Sequence, residues 1–477
     1  DIMKKKTIKI SLKKILCFIL AIVVIYYGGM MVRAATTPST DIIFEDANLY
    51  KSLKERLPSS AVISSNDNTK TLSIANDSFT TITQLDLSGS SISNLSGIEH
   101  FTGLTSLNLS RNSISDISKL TALKSLTDLD LGNNTLSSMN DISNLTSLTT
   151  LKISSNRISN IEPIRSLTQL QTLDLSNNAI SDAKAVQSLR NLTSLDISSN
   201  SSLANLSDVL MSQLEVLDVD STAITDISGI ENYGNLRQLT LSNNQITTLA
   251  PLFEEEEKGD VCKLSGIEKL DISYTTRTGF SFSNLAGITE LREFYAQGNE
   301  ISSVRDIVDL KKLEYVNLNE NAIRDISYFK EETTKNGEKV IELINATEIS
   351  LANNQISDIS VLGSLSQIDY LNLEGNQIAN VSAIEKFDFG QSKLNLRNQK
   401  IQMSIYEKQN NENHYVILYD IMQSAKEPDS EVYDENAYFT TEGVTLNEEE
   451  IYNQSPYYNV IITPDKTSAD TLSITLH

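Results

Sequence analysis

The 477-residue chain has no tryptophan, two cysteines, three histidines and seven prolines, and aromatic residues make up only 6% of it. Any core must therefore be filled by leucine and isoleucine rather than by large rings, which does not suggest a compact enzyme interior. Positive charge is scarce as well: 39 Lys+Arg face 62 Asp+Glu, a formal net charge of −23. Beyond the N-terminal segment no run of Lys and Arg is dense enough to neutralise phosphates, which argues against a nucleic-acid partner. The sequence carries no metalloprotease helix motif, phosphate-binding loop or dinucleotide fingerprint. His100, His414 and His477 are not placed by any motif beside Ser or Cys, and Cys262 follows an acidic run that would make its thiol a poor nucleophile. No catalytic residue, metal ligand or cofactor is expected, and the chain reads as a binding protein, not an enzyme.

The first 34 residues read as an address. Lys4, Lys5, Lys6, Lys9, Lys13 and Lys14 precede an apolar run from Ile15 to Tyr27, followed by Val32-Arg33-Ala34, the pattern of a signal peptide cleaved near Ala35 with Met3 as initiator. An uncleaved anchor is the rival, but the run is shorter than the ~20 residues a bilayer span requires. Membrane contact is expected through this segment only. From Ala35 onward 32 Lys+Arg face 61 Asp+Glu, a net −29, and Cys262 is the one remaining thiol. An exported chain with one thiol has no disulfide framework, so packing or repetition must hold it together.

Repetition is what the rest of the chain offers. The first Leu of a Leu-x-Leu pattern falls at Leu85, Leu107, Leu129, Leu151, Leu173, Leu195, Leu217 and Leu239, each 22 residues after the last, and the series continues at Leu270, Phe294, Val316, Ile349, Leu371 and Leu394. These are about fourteen leucine-rich repeats. Leu107 and Leu109 point to one side of a short strand while Ser106, Asn108 and Ser110 point to the other. Ile114, Ile117, Leu120 and Leu123 bring the chain back through a short helical segment into the same core. One unit cannot bury its own apolar faces, so the units must stack as a solenoid with a parallel strand ladder on the concave side.

Asn112, Asn134, Asn156, Asn178, Asn200, Asn244, Asn299, Asn321, Asn354 and Asn376 occupy the position three after the second Leu, with Ser90, Thr222, Thr275 and Gln399 standing in elsewhere. A polar ligand row is one reading. The stronger one is structural: the chain turns inward here, and an amide can satisfy backbone donors and acceptors the turn leaves unpaired.

Upstream, Asp46 to Leu57 reads as an amphipathic helix stopped by Pro58, its Leu49, Leu53 and Leu57 on one face to close the first repeat. This cap phrase Ile-Phe-x-Asp-Ala-x-Leu (Ile43 to Leu49), the Ile-Ser-Asp-Ile-Ser returns (Ile114 to Ser118, with near-copies at Ile323 and Ile356), Ser96-Gly97-Ile98-Glu99 and Asn398-Gln399-Lys400-Ile401 together resemble the internalin branch of bacterial surface proteins over roughly residues 42–402. The resemblance implies a secreted or cell-surface binding protein that holds a partner on its concave face, with an immunoglobulin-like β module after the repeats. The expected domains are a signal peptide (1–34), a linker and helical N-terminal cap (35–71), the solenoid (72–402) and a small β module (403–477) that stops in a strand-like run, as a fragment would. Insertions near 253–263 and 329–345 interrupt the period on the convex side or edge, where solvated loops are expected ahead of a second binding ridge. Glu254 to Glu257 do not supply the six to eight oxygens of a calcium site.

On the concave side the middle residues of Leu-x-Leu are the candidate contacts: Asp86, Asn108, Asp130, Lys152, Asp174, Asp196, Asp218, Tyr295, Asn317 and Asn372, with Tyr315 and Tyr370 beside them. The Asp column is as well explained by repeat consensus as by a designed field. Tyr295, Tyr315 and Tyr370 depart from that consensus within five neighbouring units, next to Glu293, Glu348 and Glu374, and exposed Tyr groups are typical interface anchors. A protein partner with a basic rim and an apolar centre suits this surface, a carbohydrate is the second ligand class, and a monomer is expected. Two alternatives stay open: the targeting half of a secreted enzyme whose catalytic domain lies beyond His477, and an intracellular phosphatase-regulating repeat protein, which the export signal disfavours.

Overall fold

The computed structural model describes residues 37–205, 211–246, 249–252, 264–275, 282–285, 287–335, 338–378, 380–389, 393–397, 399–404, 453–454, 459–464 and 471–476. The segment read as a signal peptide, the acidic insertion with Glu254 to Glu257 and Cys262, and most of the β module expected at 403–477 lie outside them. No described helix is long and apolar enough to cross a membrane. Each of the fourteen aligned Leu-x-Leu positions lies in a strand of two or three residues. The chain divides into two compact units between Leu129 and Asp130.

The first unit begins with the expected helix, Ala47–Arg56. Asp46 is its N-cap, the Oδ1 accepting from the backbone N–H groups of Asn48 (2.7 Å) and Leu49 (3.0 Å), and Leu49 and Leu53 are fully buried. The segment expected as linker and helical cap holds strands as well. The strands Ser39–Ile43, Val62–Asn66 and Thr71–Ala75 form an antiparallel sheet with Thr71–Ala75 in the middle, so a strand runs across the expected boundary at residue 72. The strand residues Leu72 and Ile74 alternate with Thr71 and Ser73 and put their apolar side chains into the same core as the helix.

The other oxygen of Asp46 reaches the first repeat. Its Oδ2 accepts from the N–H of Ser93 (2.7 Å), the Ser93 hydroxyl (2.9 Å) and the N–H of Asn94 (3.0 Å). Burial alone would push this carboxyl up, but the bonds from Ser93, Leu49 and Asn94 outweigh it and hold its pKa below the ordinary range. Gly97 explains part of the Ser-Gly-Ile-Glu phrase: with φ +107°, it lets the backbone lie against the Phe44 ring, where a Cβ would stand 2.6 Å from a ring carbon. Beyond it Leu85 and Leu107 pair in register on parallel strands.

In the second unit the strands from Thr150–Lys152 to Leu394–Asn395 lie side by side in chain order as a long parallel sheet, with Leu151, Leu173, Leu195, Leu217, Leu239, Leu270, Phe294, Val316, Ile349, Leu371 and Leu394 in one register. The returns are 3-10 turns such as Glu162–Ser166 and Lys184–Ser188, whose Ile164 and Val186 fill the core with the strand leucines. This is a leucine-rich repeat solenoid built on a parallel ladder.

The asparagine column does what turn chemistry requires. The Asn178 Nδ2 donates to the carbonyls of Ile153 (3.1 Å), Leu175 (3.0 Å) and Ser176 (3.1 Å), while its Oδ1 accepts from the N–H of Ile158 (2.9 Å). Asn156, Asn200, Asn321 and Asn376 repeat that pattern, and the stand-in Gln399 copies it with its longer side chain, donating to Leu373 (2.7 Å) and accepting from Ile378 (2.9 Å). In each of these turns one amide thus ties the chain to the preceding unit.

The insertion after Phe329 is not a solvated loop. Lys330–Lys335 and Glu338–Leu343 form an antiparallel hairpin, which satisfies the backbone groups that an irregular excursion would leave to water. The expected boundary at residue 403 also falls within a strand, since Gln399–Ser404 joins an antiparallel sheet with Thr471–Leu476, Asn459–Pro464 and Asn453–Gln454.

Candidate functional site

The residues between the paired leucines stand on the face of the ladder opposite the core. Their chemistry has a local cause that spacing did not reveal. Asp86, Asn108, Asp130, Asp174, Asp196, Asp218, Asp271, Asn317, Asn372 and Asn395 each accept, through Oδ1, from the N–H two residues on, at 2.8–3.2 Å. At the strand end that N–H has no ladder carbonyl to meet, so a short side chain with an acceptor oxygen is needed. The column is Asp or Asn for this reason, and Lys152, exposed on its strand, is one of its exceptions.

The negative charge is another matter, because Asn serves the same purpose at Asn108, Asn317, Asn372 and Asn395. Asp174, Asp196, Asp218 and Asp271 lie on the same face with Asp220 beside them. Burial first, and then Asp196, Asp220 and Asp271, push the Asp218 carboxyl up to about 6. Burial first and the neighbouring Asp174 and Asp220 raise Asp196 too. A carboxyl raised in the fold costs nothing below about pH 4, where it is protonated in both states, and its cost grows until it is fully present above about pH 6. Asp218→Asn keeps the Oδ1 acceptor, so it is expected to stabilise the chain at pH 7.5 by ~1–2 kcal/mol after allowance for solvent screening, with the gain vanishing near pH 4. Thermal melts of both proteins at the two pH values test this; a gain of the same size at both would refute it.

Further along the ladder the face becomes aromatic. Tyr295 and Tyr315 stand on adjacent strands with ring centroids 5.0 Å apart and planes tilted by 36°. The Tyr295 hydroxyl donates to Glu293 Oε2 at 3.1 Å, and the Lys269 Nζ lies 5.0 Å from the Tyr295 ring centroid and 3.1 Å from the same Glu293 oxygen. Burial, then the charge of Glu293, pushes the Tyr295 phenol up to about 12; burial, then Tyr295 and Tyr370, takes Tyr315 to about 12. Both are therefore neutral hydrogen-bonding rings at any physiological pH. Tyr370 occupies the register row of Tyr315 two strands on, with Glu348 between them. The structure thus brings Tyr295 and Tyr315 together and sets Tyr370 apart, with Asn317 and Asn372 in the adjacent row.

Tyr274 extends this surface and was missed by reading the Leu-x-Leu columns alone. It sits in a column of turn residues with positive φ, among them Ser221, Asn243, Gly298 and Asn353, and is the one large ring there. At φ 52° and 42% exposed, its ring lies against Gly298, whose Cβ, if present, would be 2.2 Å from a ring carbon. The Tyr274 hydroxyl donates to Glu320 Oε2 (2.9 Å) and accepts from Gln297, which also donates to Glu320 Oε1 (3.0 Å). Aligning the turn column, where other units carry Ser, Asn or Gly and, at Arg111 and Glu320, a charged residue, would have found its one aromatic ring.

Residues 103–404, well over half of the chain, match the family model described as a leucine-rich repeat region. Among solved structures, the internalin InlF from Listeria monocytogenes is similar at 27% identity with a TM-score of 0.52, covering 72% of this chain and 86% of its own. The functional domain of InlJ from Listeria monocytogenes, which includes a cysteine ladder, shares the fold at 21% identity and a TM-score of 0.50, covering 78% of this chain and 87% of its own. With two cysteines in all, the present chain has no such ladder and leans on its asparagines instead. No curated protein matches the chain in sequence. A repeat register held by turn asparagines, the family match and the likeness to InlF together make this chain an internalin-like member of the leucine-rich repeat family.

Proposed function

We propose that the chain is a secreted or cell-surface binding protein that recognises a protein partner through the concave face of its repeats, with Tyr295, Tyr315 and Tyr370 as anchors. An internalin-like repeat fold suggests a protein-binding role. The observation that carries the finer reading is the aromatic patch. Two half-buried rings 5.0 Å apart, with a third in the same face, offer apolar area that costs little entropy to immobilise and, at Tyr295, a hydroxyl already bonded to Glu293. The acidic strands from Asp174 to Asp271 and the excess of acid in the chain favour a partner with a basic rim. Residues 1–34 act as the export signal in this reading, and the segment Ser39–Ala75 with its helix caps the first repeat. A carbohydrate ligand is the second reading, favoured by the hydroxyls of Ser176 and Ser198, which are bonded to Asp174 and Asp196 on the same face.

The test is capture of candidate surface proteins and glycans by the wild-type chain beside a Tyr295→Ala/Tyr315→Ala/Tyr370→Ala variant of equal melting temperature. Capture by the wild type and a loss of at least ~100-fold in affinity in the variant is the expected result, since anchor truncations cost ~2 kcal/mol or more each. Equal capture by both proteins would move the contact off this patch.

A further inference from the structure

Two neighbouring positions on the aromatic surface each set a carboxylate beside tyrosines, on its own strand at the first and on both flanking strands at the second. At the first, Glu293 and the Tyr295 ring share a cation, the Lys269 Nζ, which lies 3.1 Å from the carboxylate and 5.0 Å from the ring centroid. At the second, Glu348 stands in the row between Tyr315 and Tyr370, so that a tyrosine position flanks it on each neighbouring strand at a strand spacing of roughly 5 Å. All three side chains share the face opposite the buried Val316, Ile349 and Leu371, and Glu348 is exposed. Among the described residues no lysine or arginine pairs with Glu348. Lys393 follows Tyr370 in the chain order of the ladder, on the side away from Glu348, and its carbonyl accepts from Leu371. A carboxylate beside tyrosines thus recurs here in a different arrangement, without a cation from the described residues.

We propose that Glu348, Tyr315 and Tyr370 form a recognition pocket for one arginine or lysine side chain of the partner protein. The inference rests on the concave-face reading above and names the chemistry of its central contact. A guanidinium or ammonium seated on Glu348 makes a charge-assisted hydrogen bond to the carboxylate while its faces or methylenes lie against the two rings. It would also neutralise a surface where Glu293, Glu348 and Asp271 all act on Tyr295 and Lys269 is the nearby cation. Lys269 keeps the first position occupied from within, which leaves Glu348 as the open one of the two and gives the incoming segment a defined register.

The experiment uses the 477-residue chain labelled with 13C in its tyrosine rings and titrated with Nα-acetyl-arginine amide, with the neutral citrulline counterpart as control. Saturable shifts at the Tyr315 and Tyr370 resonances, assigned through Tyr→Phe variants, are expected with arginine and not with citrulline. Glu348→Gln should weaken the arginine response about tenfold at unchanged melting temperature. Lys269→Met should open the first position, so that Tyr295 begins to respond as well. Equal responses to arginine and citrulline, or an arginine response untouched by Glu348→Gln, would overturn the pocket. A partner captured through the tyrosines by a chain that ignores arginine would overturn the pocket and leave the concave-face reading standing; an arginine response in a chain whose partner capture ignores the tyrosines would do the reverse.

Discussion

Asn178→Leu is expected to lower stability by ~2–3 kcal/mol, a large effect for one side chain on a turn. The amide serves the carbonyls of Ile153, Leu175 and Ser176 and the N–H of Ile158, and leucine serves none of them. The expense arises because these backbone groups point inward at a turn, where water does not replace the lost partner. Neighbouring repeats are coupled through the same bonds: the Ile153 carbonyl and Ile158 belong to the unit before Asn178. The loss should therefore appear as a lower melting temperature with local opening around residues 153–180, read by hydrogen exchange. An unchanged melt would show that the column is not structural.

The second large effect is expected at Asp46. One carboxylate accepts from two N–H groups of its own helix and from two N–H groups and a hydroxyl of the first repeat, and it is 8% exposed. Asp46→Ala removes the N-cap and leaves the Ser93 and Asn94 donors without their acceptor, together ~2–4 kcal/mol. The helix Ala47–Arg56 should loosen first, because what then holds it to the unit is the apolar face of Leu49 and Leu53 and the exposed bonds of Asn48 to Ser91, Lys54 to Asp67 and Arg56 to Asp86. The sign of the pH effect follows from the lowered pKa. The stabilisation is fully present above the unfolded carboxyl's ordinary value of 3.8 and is lost as pH falls through the lower folded value. Acid below pH 3.8 should therefore bring the wild type toward the variant, and circular dichroism across that range would show it. A variant as stable as the wild type at pH 7 would contradict this role.

How far this could be read from the chain varies with the physical origin of each feature. The ladder was legible because a 22-residue period carries its own redundancy: Leu107, Leu129 and Leu151 each report the same buried strand position. The asparagine column was legible for the same reason, its residue type matching a requirement every turn repeats. The helix at Asp46 declared itself by cap, apolar spacing and proline stop. The strands Ser39–Ile43 and Val62–Asn66 did not, since Ser-Thr-Asp-Ile-Ile and Val-Ile-Ser-Ser-Asn are ordinary polar-apolar mixtures whose pairing depends on Thr71–Ala75 coming between them. The hairpin at Lys330–Leu343 was hidden because its residues were read as a break in the period rather than as strands of their own.

The site was half legible. Tyr295 and Tyr315 stood out as departures from a column, but they lie in different register rows, and only the pairing of Glu293 with Tyr315 and Tyr295 with Asn317 shows that the rings meet diagonally. The acidic column could not be resolved from sequence, because consensus and field predict the same letters. The Ser176 N–H donates to Asp174 and the Ser198 N–H to Asp196, which assigns the residue type to the backbone, and burial beside like charges makes the charge of Asp218 a cost. Tyr274 depends on a positive φ and on the bare face of Gly298, neither of which has a signal in the Leu-x-Leu spacing.

The claim that the open face of the ladder holds the partner is tested most directly by hydroxyl-radical footprinting of the 477-residue chain with and without a captured partner, read at each tyrosine. Protection of Tyr295, Tyr315 and Tyr370, with the exposed Tyr328 beside the hairpin unchanged, is the result the proposed concave-face contact predicts. Protection confined to Tyr328, with the three open-face rings as reactive as in the free chain, would contradict it.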